Sequence, residues 1–177
     1  LLAQAQAWNI PITNDPAAAT QKLDVSASGS MWIYALAAPF ATVADGVNSA
    51  DLISTWKGAP AGPLAGHSLI MAESTLGAFT ALWGEPVGGY VRSVPAGELL
   101  ETAWIESSTW AIIPFEELQP KWKVLTIDGQ SPIRKSFDLS TYPLVVDFTL
   151  QSSTNSLISN SLISNYDPSK LTTVILT

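Results

Sequence analysis

Cysteine is absent from the 177 residues. Disulfides, thiolate nucleophiles and cysteine-ligated metals are therefore excluded. Histidine occurs once, at His67. One imidazole among scattered carboxylates makes a poor metal site, and no cofactor motif accompanies it. There is also no nucleophile-elbow motif to pair it with a serine, so His67 reads as a structural or surface residue and no catalytic set is found. Charge is scarce as well. Charged residues make up 13% of the chain, against the usual ~25%. Eight Lys+Arg stand against fifteen Asp+Glu, a net charge of −7. No basic stripe is present, which argues against nucleic acid as a partner, and an anionic membrane surface would repel the chain. No apolar run approaches the ~18 residues of a membrane span. No signal peptide is visible. The chain opens without Met inside an apparent helix, Leu1–Trp8; a preceding strand and any export signal are expected to have been removed.

What the chain does have is apolar bulk. Hydrophobic residues make up 47%, with seven Trp, which suits a packed core and argues against disorder. The patterning alternates between strand and helix. Asn9–Thr13 is a candidate strand, and Asp15-Pro16 opens a short helix through Ala19. Leu23–Ala27 alternates as a strand does, Ser28-Gly29-Ser30 breaks it, and Trp32–Ala38 is a buried strand ending at Pro39. Asn48-Ser49-Ala50-Asp51 caps a helix carrying Leu52, Ile53 and Trp56, which Gly58 ends. Ser68–Ala72 is a strand. Ser74 caps a helix carrying Leu76, Phe79, Leu82 and Trp83, closed by Gly84. Tyr90–Val94 is a strand, and Pro95 begins a helix with Leu99, Leu100 and Trp104 on one face. Three further β-type runs lie at 110–115, 123–132 and 142–150, punctuated by Pro, Gly and Asp. The alternation predicts a layered α/β fold. After Leu150 the chain turns Ser/Asn-rich, with Ser-Leu-Ile-Ser-Asn twice in tandem at 156–160 and 161–165. This reads as a linker.

The order of these segments resembles the periplasmic-type solute-binding proteins, most closely their phosphate-binding branch. Val47-Asn-Ser-Ala-Asp-Leu-Ile-Ser-Thr-Trp-Lys-Gly is similar to that family's "LTLEQLRDIFSG" helix. Ala72-Glu-Ser-Thr-Leu-Gly-Ala-Phe matches its "GSGTRDAF" turn. Leu23-Asp-Val-Ser-Ala-Ser resembles its "ADIAISSR" strand, and the three runs of 110–150 resemble its closing strands. A narrower resemblance is to the N-terminal region of CapA-like proteins, named for poly-γ-glutamate capsule synthesis. It is carried by Trp32–Val47, by Ser74–Gly84 and by Trp122-Lys-Val-Leu-Thr-Ile-Asp-Gly-Gln-Ser-Pro. The segment Asp167–Thr177 would then enter a phosphoesterase-like domain.

The resemblance implies a two-lobed periplasmic-binding-protein-like α/β fold with mixed sheets flanked by helices. The binding-protein-like domain is 1–150, with lobe one 1–30 and 119–150 and lobe two 31–118. Residues 151–169 form the linker and 170–177 begin a truncated downstream domain. An edge strand folding back onto the first domain is the other reading of Leu171–Thr177. The implied function is a non-catalytic solute- or polymer-binding domain of an envelope-associated CapA-like protein. The alternatives are a stand-alone receptor of an ABC transporter, or a degenerate structural domain. Its partners would be a small molecule or polymer segment and the C-terminal domain of the same polypeptide. Its place would be the cell envelope or outside the cell.

The candidate ligand-binding residues are Glu73, Ser74, Thr75, Trp32, Tyr34 and Trp110. Glu73-Ser74-Thr75 opens a helix after a strand, where free N–H groups and the dipole suit anions. In phosphate binders this turn supplies hydroxyls and an Arg. Here Glu73 stands at the matching Ser and Leu76 at the matching Arg, so a phosphate would meet a carboxylate and no guanidinium fork. A plain Ser74 cap beside a solvated Glu73 is the other reading. Trp32, Tyr34 and Trp110 lie near the expected crossings between lobes and are candidate cleft aromatics, while helical spacing assigns Trp56, Trp83 and Trp104 to the core. Glu116-Glu117, read as strand neighbours, point to opposite faces and cannot form a glycosidase pair. Asp45-Gly46 and Asp128-Gly129 read as turns.

Overall fold

The computed structural model describes residues 13, 15, 18, 19, 21–152 and 174–176. The elements expected over 1–19 fall wholly or mostly outside these residues, as does the expected linker 151–169 except for Gln151 and Ser152, which end a strand. The chain divides into two compact units: Met31–Val146, and Leu1–Ser30 with Asp147–Thr177. Residues 119–146, expected with lobe one, lie in the unit of Met31–Val146.

Strand β1 (Gln21–Pro39) is continuous for 19 residues. The sequence predicts a break at Ser28-Gly29-Ser30; instead the glycine is a mid-strand residue. A Cβ on Gly29 would overlap the Phe148 carbonyl of the neighbouring strand, so glycine here permits close backbone approach. Next come β2 (Gly46–Val47), helix α1 (Ser49–Trp56), β3 (Ser68–Met71) and α2 (Glu73–Trp83). They are followed by β4 (Val91–Ser93), α3 (Leu99–Ile105) and β5 (Thr109–Pro114). The chain ends with β6 (Trp122–Val124), β7 (Thr126–Ile127), β8 (Val145–Ser152) and β9 (Val174–Leu176).

In the unit of Met31–Val146 the strand order is β4-β3-β5-β1-β6. β4 and β5 both run parallel to β3, with α2 and α3 as the crossovers, while β1 runs antiparallel to β5 and β6. The inner strands are covered on both faces, so they read as unbroken apolar runs. Every residue of β5, Thr-Trp-Ala-Ile-Ile-Pro, is buried, and so are Leu69–Met71 and Tyr34–Pro39. One face packs Ala37, Ile70, Ala111 and Ile113 against Leu99 and Ala103 of α3, with Val94 and Trp122. Elsewhere in the unit is an aromatic cluster. Phe79 of α2 meets Tyr34 edge-on at 5.1 Å, and Trp83 meets Trp56 edge-on at 5.2 Å. Trp56 Nε1–H donates to Gly84 O at 2.8 Å, tying α1 to the end of α2.

β2 and β7 form a separate parallel pair. It delivers Asp128 to the start of α1. Asn48 occupies the cap position expected of it but makes no side-chain cap bond. Asp128 Oδ1 instead accepts the Ser49 N–H at 3.0 Å. Gly58, at φ 85°, follows the end of α1 as its sequence position predicts.

In the other unit, the first half of β1 pairs in parallel with β9: Gln21 opposite Val174, Lys22 opposite Ile175, Leu23 opposite Leu176.

Candidate functional site

Strand direction sorts the candidate residues. Met71 lies beside Ser93 at the carboxyl ends of β3 and β4, and Tyr34 lies opposite Pro114 at the carboxyl end of β5. That end of the sheet therefore gathers Tyr34, the first turn of α2, the segment after β4 and the segment after β5. Carboxyl ends of parallel strands are where α/β sheets commonly bind ligands.

α2 begins two residues earlier than the sequence predicts. Its N-cap is Ala72, whose side chain makes no cap bond. Ser74, expected as the cap, is the second helical residue, because Ala72 already takes the extended conformation (φ −65°, ψ 154°) that precedes a helix. The first intrahelical donor is Leu76 N–H, to Ala72 O at 2.9 Å. The N–H groups of Glu73, Ser74 and Thr75 thus have no partner within the helix. Glu73 and Ser74 are exposed, while Thr75 is 1% exposed.

The surrounding charge is acidic. Glu116 and Glu117 sit in the 3₁₀ turn Phe115–Glu117, not on a strand, and both are exposed. Burial pushes the Tyr34 hydroxyl well above the ordinary tyrosine range, and the charges of Glu116 and Glu117 push the same way. The segments meeting at this end, 31–34, 73–76, 94–98 and 114–118, contain Glu73, Glu98, Glu116 and Glu117 and neither lysine nor arginine.

The aromatic candidates divide. Tyr34 is 4% exposed and holds Phe79 edge-on, so its ring belongs to the core. Trp110 is 1% exposed and lies stacked under His67, with ring centroids 4.5 Å apart. Its Nε1 and His67 Nδ1 are buried without a hydrogen-bond partner. Strand β5 carries Trp110 at its amino end, opposite to the α2 turn, so the sheet separates Trp110 from Ser74. Trp32 is half-buried.

The aromatic side chains that do face solvent are others. Trp104, assigned to the core by helical spacing, is 49% exposed, and Phe40 is 69% exposed. Leu99 and Ala103 form the inward stripe of α3. Leu100 and Trp104, one position on, form the next stripe. With seven residues of helix, the sequence offers no pattern to choose between the two.

At the amino end of the sheet Arg92 pairs with Glu106, which also accepts from Thr109 Oγ1 at 3.1 Å. The Arg92 hydrogen bond, then that of Thr109, holds the Glu106 carboxyl below its ordinary range. Ser68 Oγ lies 3.2 Å from Thr109 Oγ1. The network laces the edges of β3, β4 and β5 together. Among the described residues no group of three or more metal-ligating side chains is found, and no helix is long and apolar enough to cross a membrane.

No family model matches the chain, and no curated protein matches it. Solved structures do. An ABC-type phosphate transport receptor from Vibrio cholerae is similar over 88% of this chain and 69% of its own, with a TM-score of 0.60 and 14% identity. A putative phosphate ABC transporter substrate-binding protein from Clostridium perfringens, solved with bound phosphate, is similar over 82% of this chain and 64% of its own (TM-score 0.53, 12% identity). A possible phosphate binding protein from Planctomyces limnophilus is similar over 85% of this chain and 59% of its own (TM-score 0.51, 14% identity). The chain thus spans roughly three fifths to two thirds of their lengths. Its fold is the mixed α/β fold of periplasmic-binding-protein-like structures.

Proposed function

We propose that this chain is the solute-binding part of a receptor serving an ABC-type transporter, working outside the cytoplasm without catalysis. The observation that carries the proposal is the pairing of that fold with a helix start where β3 ends, at which three N–H groups of α2 have no acceptor within the helix. The similar structures are described as a receptor and as binding proteins, none as an enzyme.

The ligand we propose is not phosphate. A bound oxyanion gains from N–H groups and from a nearby cation, and loses to repulsion from nearby carboxylates. Here the helix start offers the first but Glu73 sits on it, and the segments at this end contribute Glu98, Glu116 and Glu117 with no lysine or arginine. A neutral or cationic solute meets no such penalty. The narrower CapA-like reading rests on sequence resemblance alone; none of the comparisons supports it.

A thermal-shift and calorimetric screen of phosphate, sulfate, amino acids, glutamyl peptides, polyamines and sugars tests this. We expect one-to-one binding of a non-anionic solute, changed by Glu73→Gln. Micromolar phosphate binding that Ser74→Ala weakens would overturn the proposed ligand class. Failure of every solute to bind would overturn the receptor reading.

A further inference from the structure

The structure assigns a second binding site, for a short apolar peptide with both termini free, to a groove at the amino end of the same sheet. The groove is wide open to solvent, offers a volume of about 610 Å³ and is lined by Phe40, Leu100, Glu101, Trp104, Pro120 and Lys121. That volume lies within the ~300–1,000 Å³ of small-molecule sites. Its place in the fold is opposite to the α2 turn. Phe40 follows Pro39, which pairs with Trp122 of β6, and Ala37 of the same strand lies opposite Ala111 of β5. The groove therefore opens where β5 starts, whereas α2 begins where β3 ends. The inference is independent of the proposed receptor function.

The walls are held from behind. Leu99 and Ala103 of α3 are buried and Leu100 packs half-buried beside them, which fixes Glu101 and Trp104 toward the groove. Trp122 is 7% exposed and its N–H donates to Gln119 O at 3.0 Å, which fixes Pro120 and Lys121 between them. Phe40 sits in a turn closed by Thr42 N–H on Pro39 O at 2.9 Å. Lys123 pins the following loop, its Nζ donating to Thr42 O at 2.8 Å and pairing with Asp45 at 2.8 Å. A groove built on such supports is largely pre-formed, so a ligand need not order it.

The lining chooses the ligand. Four of the six residues are apolar, and two of these are large aromatic side chains left in water, a cost that a covering apolar group removes. The two polar residues, Glu101 and Lys121, are exposed and of opposite sign, and neither takes part in the ion pairs found among the described residues. A purely apolar ligand would leave both charges unused. A ligand of one charge would meet a like charge on one side. A peptide zwitterion answers both, its ammonium toward Glu101 and the Trp104 face, its carboxylate toward Lys121, its side chains over Phe40, Leu100 and Pro120.

The test titrates the ¹⁵N-labelled chain with L-leucyl-L-phenylalanine and follows the Trp104 indole N–H resonance, identified as the one lost in Trp104→Phe. The expected result is saturable one-to-one binding with a Kd of about 0.1–1 mM. The uncharged N-acetyl-L-leucyl-L-phenylalanine amide should bind at least ~3-fold more weakly, and Glu101→Gln and Lys121→Gln should each weaken the free peptide by about 3-fold. Neither substitution should alter binding of the capped peptide, which separates charge recognition from a change in fold. The proposal is overturned by an unmoved Trp104 resonance at about 10 mM dipeptide, or by capped peptide binding as well as free. Maltotriose shifting this resonance where the dipeptide does not would overturn it too, making the groove a saccharide platform.

Discussion

Asp128 caps a helix that begins 79 residues before it, and replacing it tests whether that long-range bond organises the β2–β7–α1 region. Its carboxylate accepts the Ser49 N–H at 3.0 Å, its own N–H donates to Val47 O at 3.0 Å, and its φ is 50°. Asp128→Ala removes the acceptor, which costs about 1 kcal/mol at a helix start. It also places a Cβ without a compensating side-chain bond in the left-handed region, another ~1–2 kcal/mol. The sum is about 2–3 kcal/mol. Asp128→Gly loses the acceptor but relieves the backbone, so about 1 kcal/mol is expected. Asp128→Asn keeps an oxygen acceptor and tolerates the conformation. It loses only the charge at the helix dipole, about 0.3–1 kcal/mol. The expected order of stability is wild type, Asn, Gly, Ala. Urea denaturation followed by tryptophan fluorescence reads it, since Trp56 is buried at the end of α1. With a slope of ~2 kcal/mol/M, the alanine variant should move the midpoint down by about 1–1.5 M. The decisive comparison is Gly against Ala. At an ordinary exposed turn alanine would be the more stable; if it is here, the left-handed cap is not what holds the region.

Three further outcomes are expected. Calorimetry with phosphate should give no heat at micromolar concentrations, and Glu73→Ser with Leu76→Arg should introduce measurable phosphate affinity; no gain would show that more than these two side chains separates this turn from a phosphate site. Gly29→Ala should destabilise β1 against β8, because its Cβ would overlap the Phe148 carbonyl; a melting temperature equal to wild type would contradict the close approach. The hydrogen bond and charge of Lys123 hold the exposed Asp45 carboxyl below its ordinary value of 3.8. A depressed carboxyl pKa adds stability that is present above the unfolded value and lost as pH falls through the folded one. The stability gap between wild type and Lys123→Met should therefore be widest at neutral pH and shrink below about pH 4; a gap independent of pH would assign Lys123's role wholly to the Thr42 carbonyl.

The sequence makes the inner strands legible because their burial on both faces leaves a one-dimensional mark. Thr109–Pro114 and Ser68–Met71 are apolar runs bounded by turn residues, and both are strands. Helix starts are less legible. Asn48 has the chemistry of a cap, but a carboxylate from residue 128 takes the bond, and no local pattern encodes a partner 79 residues away. Ser74 has the same chemistry, yet Ala72 precedes the helix, since the end of β3 sets the backbone there. Gly29 is the clearest reversal. A glycine between two serines reads as a breaker when only its own flexibility is considered; its neighbour Phe148, far along the chain, makes it a requirement of strand pairing.

The same distinction governs the two proposed sites. Glu73, Ser74 and Thr75 were placeable because a strand followed by a helix start is a local pattern, and the departures at Glu73 and Leu76 can be read in the residues themselves. The groove of Phe40, Trp104 and Lys121 joins the end of β1, one stripe of α3 and the approach to β6, three segments that only the sheet order brings together. Helical periodicity groups Trp104 with Leu100, but which stripe turns inward depends on what the sheet presents. Ala37 and Ala111, small on that face, leave room for Leu99 and Ala103 to seat against them. Once those two are inside, Trp104 must lie at the edge, where burial by the protein is incomplete and a ligand can complete it.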